Sequence, residues 1–461
     1  MVRYLRKIFD KNRDLTEGKI FHNVVYLAFP LMVGSLLQGT QSLIDMFWVG
    51  SLGASSIAAV AISGTIIMLI FTIVIGISMG TVALVSKNIG SKNKEAVDLI
   101  AGQSIFLGVV LSAVITAAAL FYAKRFLILL GARGDVLSEG IGYLRILLIG
   151  NITMFLLFLG NSILQGAGDV MRPMVYMGVA NICNIILDPI FIFGIGVPRM
   201  NTAGAAVATV IGQGVSAVLV LRMLYKGKSR VNINIKDFRV NTRIVREILK
   251  IGIPSSLQMF VRTTMNLAVI GMVASFGTAA IAAFGLVMRI HINTLMPAFA
   301  LGGASATLVG QNLGAGRPDR ARKSAWVATK LDLGIMTAFS LLLFIFAKNI
   351  MSFFNGDAEV IRLGSDFIRI AAPFYIFIAF GVVLNRALGG AGDTFVPMLI
   401  TLFSLWGYLV PLSYYLSKFT PLGIEGIWWA VATSSLVNGL LTLGWFEMGR
   451  WKRRKVDHGI L

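Results

Sequence analysis

Two aspartates stand out because each sits alone in a long uncharged run. Between Lys19 and Lys87 the only charged side chain is Asp45, and between Arg172 and Arg199 it is Asp188. Two carboxylates brought together away from water cannot both stay ionised without a cation. Such a pair can carry a proton or hold Na⁺ through hard oxygen ligands. Asn184 stands one helical turn from Asp188 on the same face and offers an amide oxygen, and Thr202 follows across a short loop. Gln38, Tyr143 and Asn161 could complete a polar network, or simply make ordinary hydrogen bonds between helices. Met32, Met154, Met174 and Met177 could line a cavity for varied apolar ligands or pack as core.

Other chemistries are excluded by spacing. The only Gly-Lys-Ser, Gly227-Lys228-Ser229, has Arg222 where a phosphate-binding loop needs its first glycine. His22, His291 and His458 lie far apart without the pairing of a zinc hydrolase. Cys183 is the only cysteine, so no disulfide or Cys-x-x-Cys site can form within the chain. Gly-Ala-Gly-Asp occurs at 166–169 and 390–393, a pattern shared with intramembrane aspartic proteases. Here each copy precedes a proline, Pro173 or Pro397, where a turn is expected.

The elements that carry these residues must cross a membrane. Apolar residues make up 56% of the 461 and charged residues 13%, against about 25% charged in ordinary globular domains. Runs long enough for a helix through the hydrocarbon core fall near 24–50, 57–86, 97–122, 138–162, 172–196, 202–225, 247–274, 280–309, 325–347, 366–388, 395–417 and 426–448. That predicts an all-α integral membrane protein of twelve spans, with no cleavable leader before the first. The net charge of +20 sits between the runs, as topology and anionic lipid headgroups explain and nucleic acid does not. With the N-terminus inside, 28 Lys and Arg fall on inner segments against 7 on outer loops, which places both termini in the cytoplasm. Asp45 then lies about 28 Å and Asp188 about 24 Å from the inner face, at similar height.

Six basic residues remain in or near spans: Arg145, Arg262, Arg289, Lys330, Arg369 and Arg386. Most can snorkel to headgroups; Arg262 is nearer mid-span and is the candidate for a cavity role. Asp332, two turns into span 9, could pair with Lys330.

The chain repeats itself at an offset of 224. Pro30 matches Pro254, Gly53 matches Gly277, Asn88 matches Asn312, Asn161 matches Asn385, and Gly166–Asp169 returns as Gly390–Asp393. Each half holds an even number of spans, so the two are expected as parallel six-helix bundles, 24–225 and 247–448, related by a pseudo-two-fold axis along the membrane normal. Residues 1–23 would be a cytoplasmic segment, 226–246 a basic linker along the inner interface touching lipid, and 449–461 a basic tail. The two aspartates break the repeat: at +224 stand Val269 and Leu412. A carboxylate kept for packing should appear twice, whereas one kept for coupling need appear only once.

The six-plus-six spans, the Pro30 to Gly39 stretch, the paired Gly-Ala-Gly-Asp turns and Asn184-x-x-x-Asp188 resemble the multidrug and toxic compound extrusion (MATE) family over about 20–448, and its DinF-type branch in the acidic residues of spans 1 and 5. The resemblance implies secondary export of amphipathic, often cationic compounds in exchange for H⁺ or Na⁺, without a cofactor, from a plasma-membrane monomer among lipids. It also implies a cation site at Asp45, Asn184, Asp188 and an oxygen near Thr202, and a substrate cavity touching Gln38, Tyr143, Asn161, Met177 and Arg262. Other branches carry an acidic residue on span 7; here Pro254 to Ala274 has none, and offers Gln258 and Arg262 instead. Pro30, without an amide hydrogen, and Gly34 make span 1 a hinge below Asp45. A lipid flippase of the same superfamily and an intramembrane enzyme are the competing expectations.

Overall fold

The computed structural model describes residues 14–227 and 229–453, and among these it is helical with no strand. Residues 1–13 and 454–461 of the expected terminal segments, with Lys228 and His458, lie outside the described residues. Helices follow from the sequence: in hydrocarbon every backbone polar group must be satisfied within the segment itself. Eleven helices are long and apolar enough to span, and a pair bent by 46° supplies a twelfth. In chain order they are α1 (Ile20–Gly50), α2 (Ala54–Gly90), α3 (Lys94–Leu129), α4 (Gly134–Ile149 with Asn151–Gly166), α5 (Met171–Phe193) and α6 (Thr202–Tyr225). The second set is α7 (Thr242–Ala274), α8 (Thr278–Gly314), α9 (Pro318–Phe354), α10 (Ala358–Gly390), α11 (Phe395–Phe419) and α12 (Ile424–Glu447).

Span 4, expected as one straight run, bends at Gly150 for a local reason. The Thr116 hydroxyl donates to the Leu148 carbonyl at 2.7 Å, and Thr153 donates to that of Gly150 at 2.8 Å. A Cβ at Gly150 would stand 2.2 Å from a methyl of Val210. Both carbonyls are thus satisfied outside the regular ladder. The second half does the same 224 residues on: Ser340 donates to the Ala372 carbonyl at 2.7 Å, where a 3₁₀ turn, Ala372–Phe374, interrupts α10. α10 and α11 also carry π-helical turns at Phe380–Leu384 and Phe403–Leu409.

The Gly-Ala-Gly-Asp motifs are turns in both halves. Asp169 N–H donates to Leu164 and Asp393 N–H to Leu388, each at 2.8 Å, with Gly168 at φ 88° and Gly392 at φ 83°. The side chains serve the turns too: Asp169 pairs with Arg172 at 2.8 Å, and Asp393 accepts from Trp445 at 2.9 Å.

The described chain forms two compact units. One contains Val33–Ile253; the other contains Leu15–Met32 together with the chain from Pro254 onward. The changes of unit fall within α1 and α7, beside the matched prolines Pro30 and Pro254, rather than in the linker. In the second unit Arg317 donates to the Thr16 carbonyl at 2.8 Å, and Arg320 to those of Glu17 and Gly18 at 2.7 and 2.8 Å. In the first, Gly80 lies so close to the Ile248 carbonyl that a Cβ would stand 2.5 Å from it.

Part of the basic linker packs onto the first unit. Val231 and Ile233 are buried in the first unit, and a 3₁₀ turn spans Ile235–Phe238. Gln103 of α3 clamps this turn: its amide donates to the Asp237 and Arg239 carbonyls at 2.7 and 2.8 Å and accepts from Asn241 N–H at 2.9 Å. A buried glutamine that meets three backbone groups fixes this turn to the first unit, while Ile235 and Val240 stay exposed. Asp332 departs from expectation. It is fully buried with both carboxyl oxygens lacking a hydrogen bond, while Lys330 is exposed, so the expected pair does not form.

Candidate cation site

The site begins with small residues. A Cβ at Gly204 would stand 2.5 Å from Phe191 backbone, and one at Gly212 would stand 2.8 Å from the Ala180 carbonyl. Only glycine allows α5 and α6 to approach so closely. That contact brings Thr209 of α6 to Asn184 of α5, whose amide donates both to the Thr209 hydroxyl and to Asp188 Oδ1, each at 3.4 Å. Asn181, one turn earlier on α5, donates to the Leu37 carbonyl of α1 at 2.6 Å and ties the two helices together.

Across that junction the Asp45 and Asp188 carboxyl groups come within reach of each other. Two ionised carboxylates can only accept, so a proton or a cation must lie between them for the pair to be satisfied. The Tyr143 ring of α4 lies within electrostatic range of both. Asn184 and Asp188 are fully buried. Asp45 Oδ1, Asp188 Oδ2 and Asn184 Oδ1 are buried acceptors without a donor. Three unsatisfied oxygens in one apolar place are costly unless a proton or hard cation joins them. The donor set holds two carboxylates, and no group of three or more His, Cys, Asp or Glu side chains gathers among the described residues. Such hard oxygens can hold a proton or a hard cation.

Of the residues singled out from sequence, Asp45, Asn184, Asp188 and Tyr143 come together. Thr202 is buried at the start of α6, but the hydroxyl bonded to Asn184 belongs to Thr209, two turns further on. Asn161 keeps a buried, unpartnered carbonyl oxygen on α4. Gln38 is exposed and Met177 half-buried, and no side-chain hydrogen bond joins either to the pair among the described residues. Pro30 lies inside the continuous α1 helix, and a Cβ at Gly34 would meet nothing within 4 Å, so α1 is loosely packed there. In the other unit Arg262 is half-buried, within electrostatic range of Arg386 and His291. Of the remaining in-span basic residues, Arg145, Arg289, Lys330 and Arg369 are exposed, as snorkelling requires.

A helical protein of twelve spans with one buried carboxylate pair defines a membrane transporter. The chain belongs to the MATE family: the family model described as MatE matches residues 30–190 and again 254–415, once in each repeat. It is 27% identical over 449 residues to the probable multidrug resistance protein NorM of Thermotoga maritima, covering 95% of this chain and 94% of that one. It is 28% identical to the probable multidrug resistance protein YoeA of Bacillus subtilis, covering 96% of each. It is also 28% identical to the FAD transporter of Shewanella oneidensis, covering 92% and 94%. A superfamily transporter of Pyrococcus furiosus, described as having a binding pocket of reverse polarity, superposes with a TM-score of 0.89 at 27% identity, covering 96% and 98%. A MATE solved in the bent conformation superposes with a TM-score of 0.89 at 27% identity, covering 94% of this chain and 96% of that one.

Proposed function

We propose that the protein is a multidrug efflux antiporter of the DinF-type branch. It exchanges amphipathic compounds for H⁺ or Na⁺ bound at Asp45, Asn184 and Asp188. The observation that carries this reading is the close Asp45–Asp188 pair with its buried, unpartnered acceptors, present in one repeat only. Protonation or cation binding removes the repulsion between the carboxylates, so α1 can pack differently against α5 and α6 and release cargo. Exchange works because ion and cargo favour different states. The change of unit beside Pro30 and the open space at Gly34 support a hinge in α1. Similar proteins described as bent and straight support a chain with two states. We place it as a monomer in the plasma membrane with both termini cytoplasmic, needing no cofactor beyond the coupling ion. A second reading, a flippase for a lipid-linked saccharide or other lipid, draws support from the basic residues around Arg262.

The test is transport in proteoliposomes under separately imposed H⁺ and Na⁺ gradients. At least one gradient should drive efflux, and failure of both would sink antiport. Lower pH or added Na⁺ should weaken cargo binding, because each stabilises the releasing state. Asp45→Asn should remove most of that dependence. Pro30→Ala should bind cargo but transport poorly.

A further inference from the structure

The first turns of α3 and α9 match at the repeat offset, yet they hold different things. On α3 the linker lies against Asp98, Gly102 and Gln103. Asp98 Oδ1 accepts from Asn232 N–H at 2.7 Å, and a Cβ at Gly102 would stand 2.6 Å from the Asp237 Cβ. An acid, a glycine and an amide thus let a chain segment lie on the helix. At +224 these positions are Arg322, Trp326 and Val327. An indole fills the place where the linker approaches, valine has no amide to clamp a backbone, and the acid has become a base. α9 cannot seat a segment as α3 does.

It carries a cleft instead. Ile20 of α1 and Arg322, Lys323, Trp326, Val327 and Lys330 of α9, all in the second unit, line a cavity of about 580 Å³, within the range of small-ligand clefts. Arg322 pairs with Glu447, which also accepts from the Trp326 indole N–H at 2.9 Å. Lys323 and Lys330 are exposed and form no ion pair among the described residues. At −224 both are apolar, Leu99 and Phe106. Three cations against one carboxylate leave the cleft net positive. The two lysines are two turns apart on one face, about 10 Å along the helix, with the indole between them. Residues 1–13 hold five basic residues and one acid, so the cleft does not complement them.

We propose that this cleft binds the headgroup of an anionic phospholipid. Lys323 and Lys330 reach the phosphate, the Trp326 ring lies at the level of the lipid glycerol, and an acyl chain follows Ile20 and Val327. A zwitterionic choline lipid binds less well, because its ammonium returns positive charge to a cleft already in excess. The inference is independent of cargo and coupling ion, and needs only that this end of α9 lies at a membrane surface.

Native mass spectrometry of the purified full chain in detergent tests it, comparing dioleoyl-phosphatidylglycerol with dioleoyl-phosphatidylcholine. The glycerol lipid should bind its first site about tenfold tighter. Joint Lys323→Gln and Lys330→Gln changes should bring the two lipids within about twofold of each other. Arg at both positions should keep the preference, and so should Gln at Lys92 and Lys94, exposed lysines at the matching end of α3. Equal first-site affinities in the wild type would overturn the site. An undiminished preference in the Lys323/Lys330 pair, or its loss in the Lys92/Lys94 pair, would do the same. Excess inorganic phosphate should leave the lipid bound, and displacement would assign the cleft to a soluble anion instead. The wild-type comparison stands even if a variant misfolds. No gradient or cargo is involved, so a failure of antiport shows in proteoliposomes and a failure of the lipid site shows here.

Discussion

At matching places in the two repeats, the same helices carry opposite fillings. In the first, Asp45 and Asp188 meet beside Tyr143, with Val60 in the adjoining apolar cluster. In the second, those four positions are Val269, Leu412, Phe367 and Phe284. Phe284, Phe367 and Trp428 stack there nearly parallel, Phe367 and Trp428 at 4.1 Å and 9°. All three are buried. Where the first unit leaves unpartnered oxygens, the second fills the volume with rings. A cation site needs both oxygens and room, and the second repeat has given up both for dispersion and apolar burial.

The second unit does bury an acid of its own, Asp332 of α9, but it stands alone and makes no hydrogen bond through either oxygen.

The largest effect should come from Asp188→Asn. The amide keeps the shape but cannot ionise, so gradient-driven export should fall to background while expression stays near wild type. Wild-type rates from purified Asp188→Asn in proteoliposomes would remove this residue from coupling.

Trp428→Ala should do the reverse. Emptying the stack leaves a cavity worth about 3–5 kcal/mol, as for other buried large-to-small changes of an aromatic. Thermal unfolding in detergent should therefore shift down by several degrees, while the H⁺ or Na⁺ dependence of cargo binding stays as in wild type. Lost ion dependence in a folded Trp428→Ala protein would mean that the second unit also reads the ion.

The helices, the repeat and the aspartates were legible in the sequence because each leaves a local signal. Apolar runs of spanning length, one offset held over six helices, and single charges in uncharged stretches need no tertiary knowledge. What escaped depends on how helices meet. The bend at Gly150 is set by hydroxyls of Thr116 and Thr153 and by Val210 on another helix. Gln103 reads as one more polar residue in α3 until the linker folds back on it. Tyr375 and His291 lie 84 residues apart and join only across α8 and α10. A comparison of the repeats at −224 would have exposed these last two, since Asn151 and Ile67 stand in their places.

The smallest predicted effect separates two threonines. Proximity along the chain favours Thr202, which opens α6 just across the loop from Asp188. The bonds favour Thr209, whose hydroxyl accepts from the same Asn184 amide that reaches Asp188. Removing that hydroxyl in Thr209→Val keeps the side-chain shape and takes away one of the two anchors of the amide. Asn184 can then rotate its carbonyl oxygen away from the carboxylates, weakening the cation's third ligand. One neutral hydrogen bond is worth about 1 kcal/mol, so the ion concentration needed to displace half the bound cargo should rise roughly fivefold. Thr202 is equally buried but makes no bond to Asn184, so Thr202→Val should leave that concentration within about twofold of wild type, a shift under roughly 0.5 kcal/mol. Titrating cargo release with H⁺ and Na⁺ in both variants decides between them. A larger shift for Thr202→Val than for Thr209→Val would move the third ligand to the start of α6 and redraw the site around it.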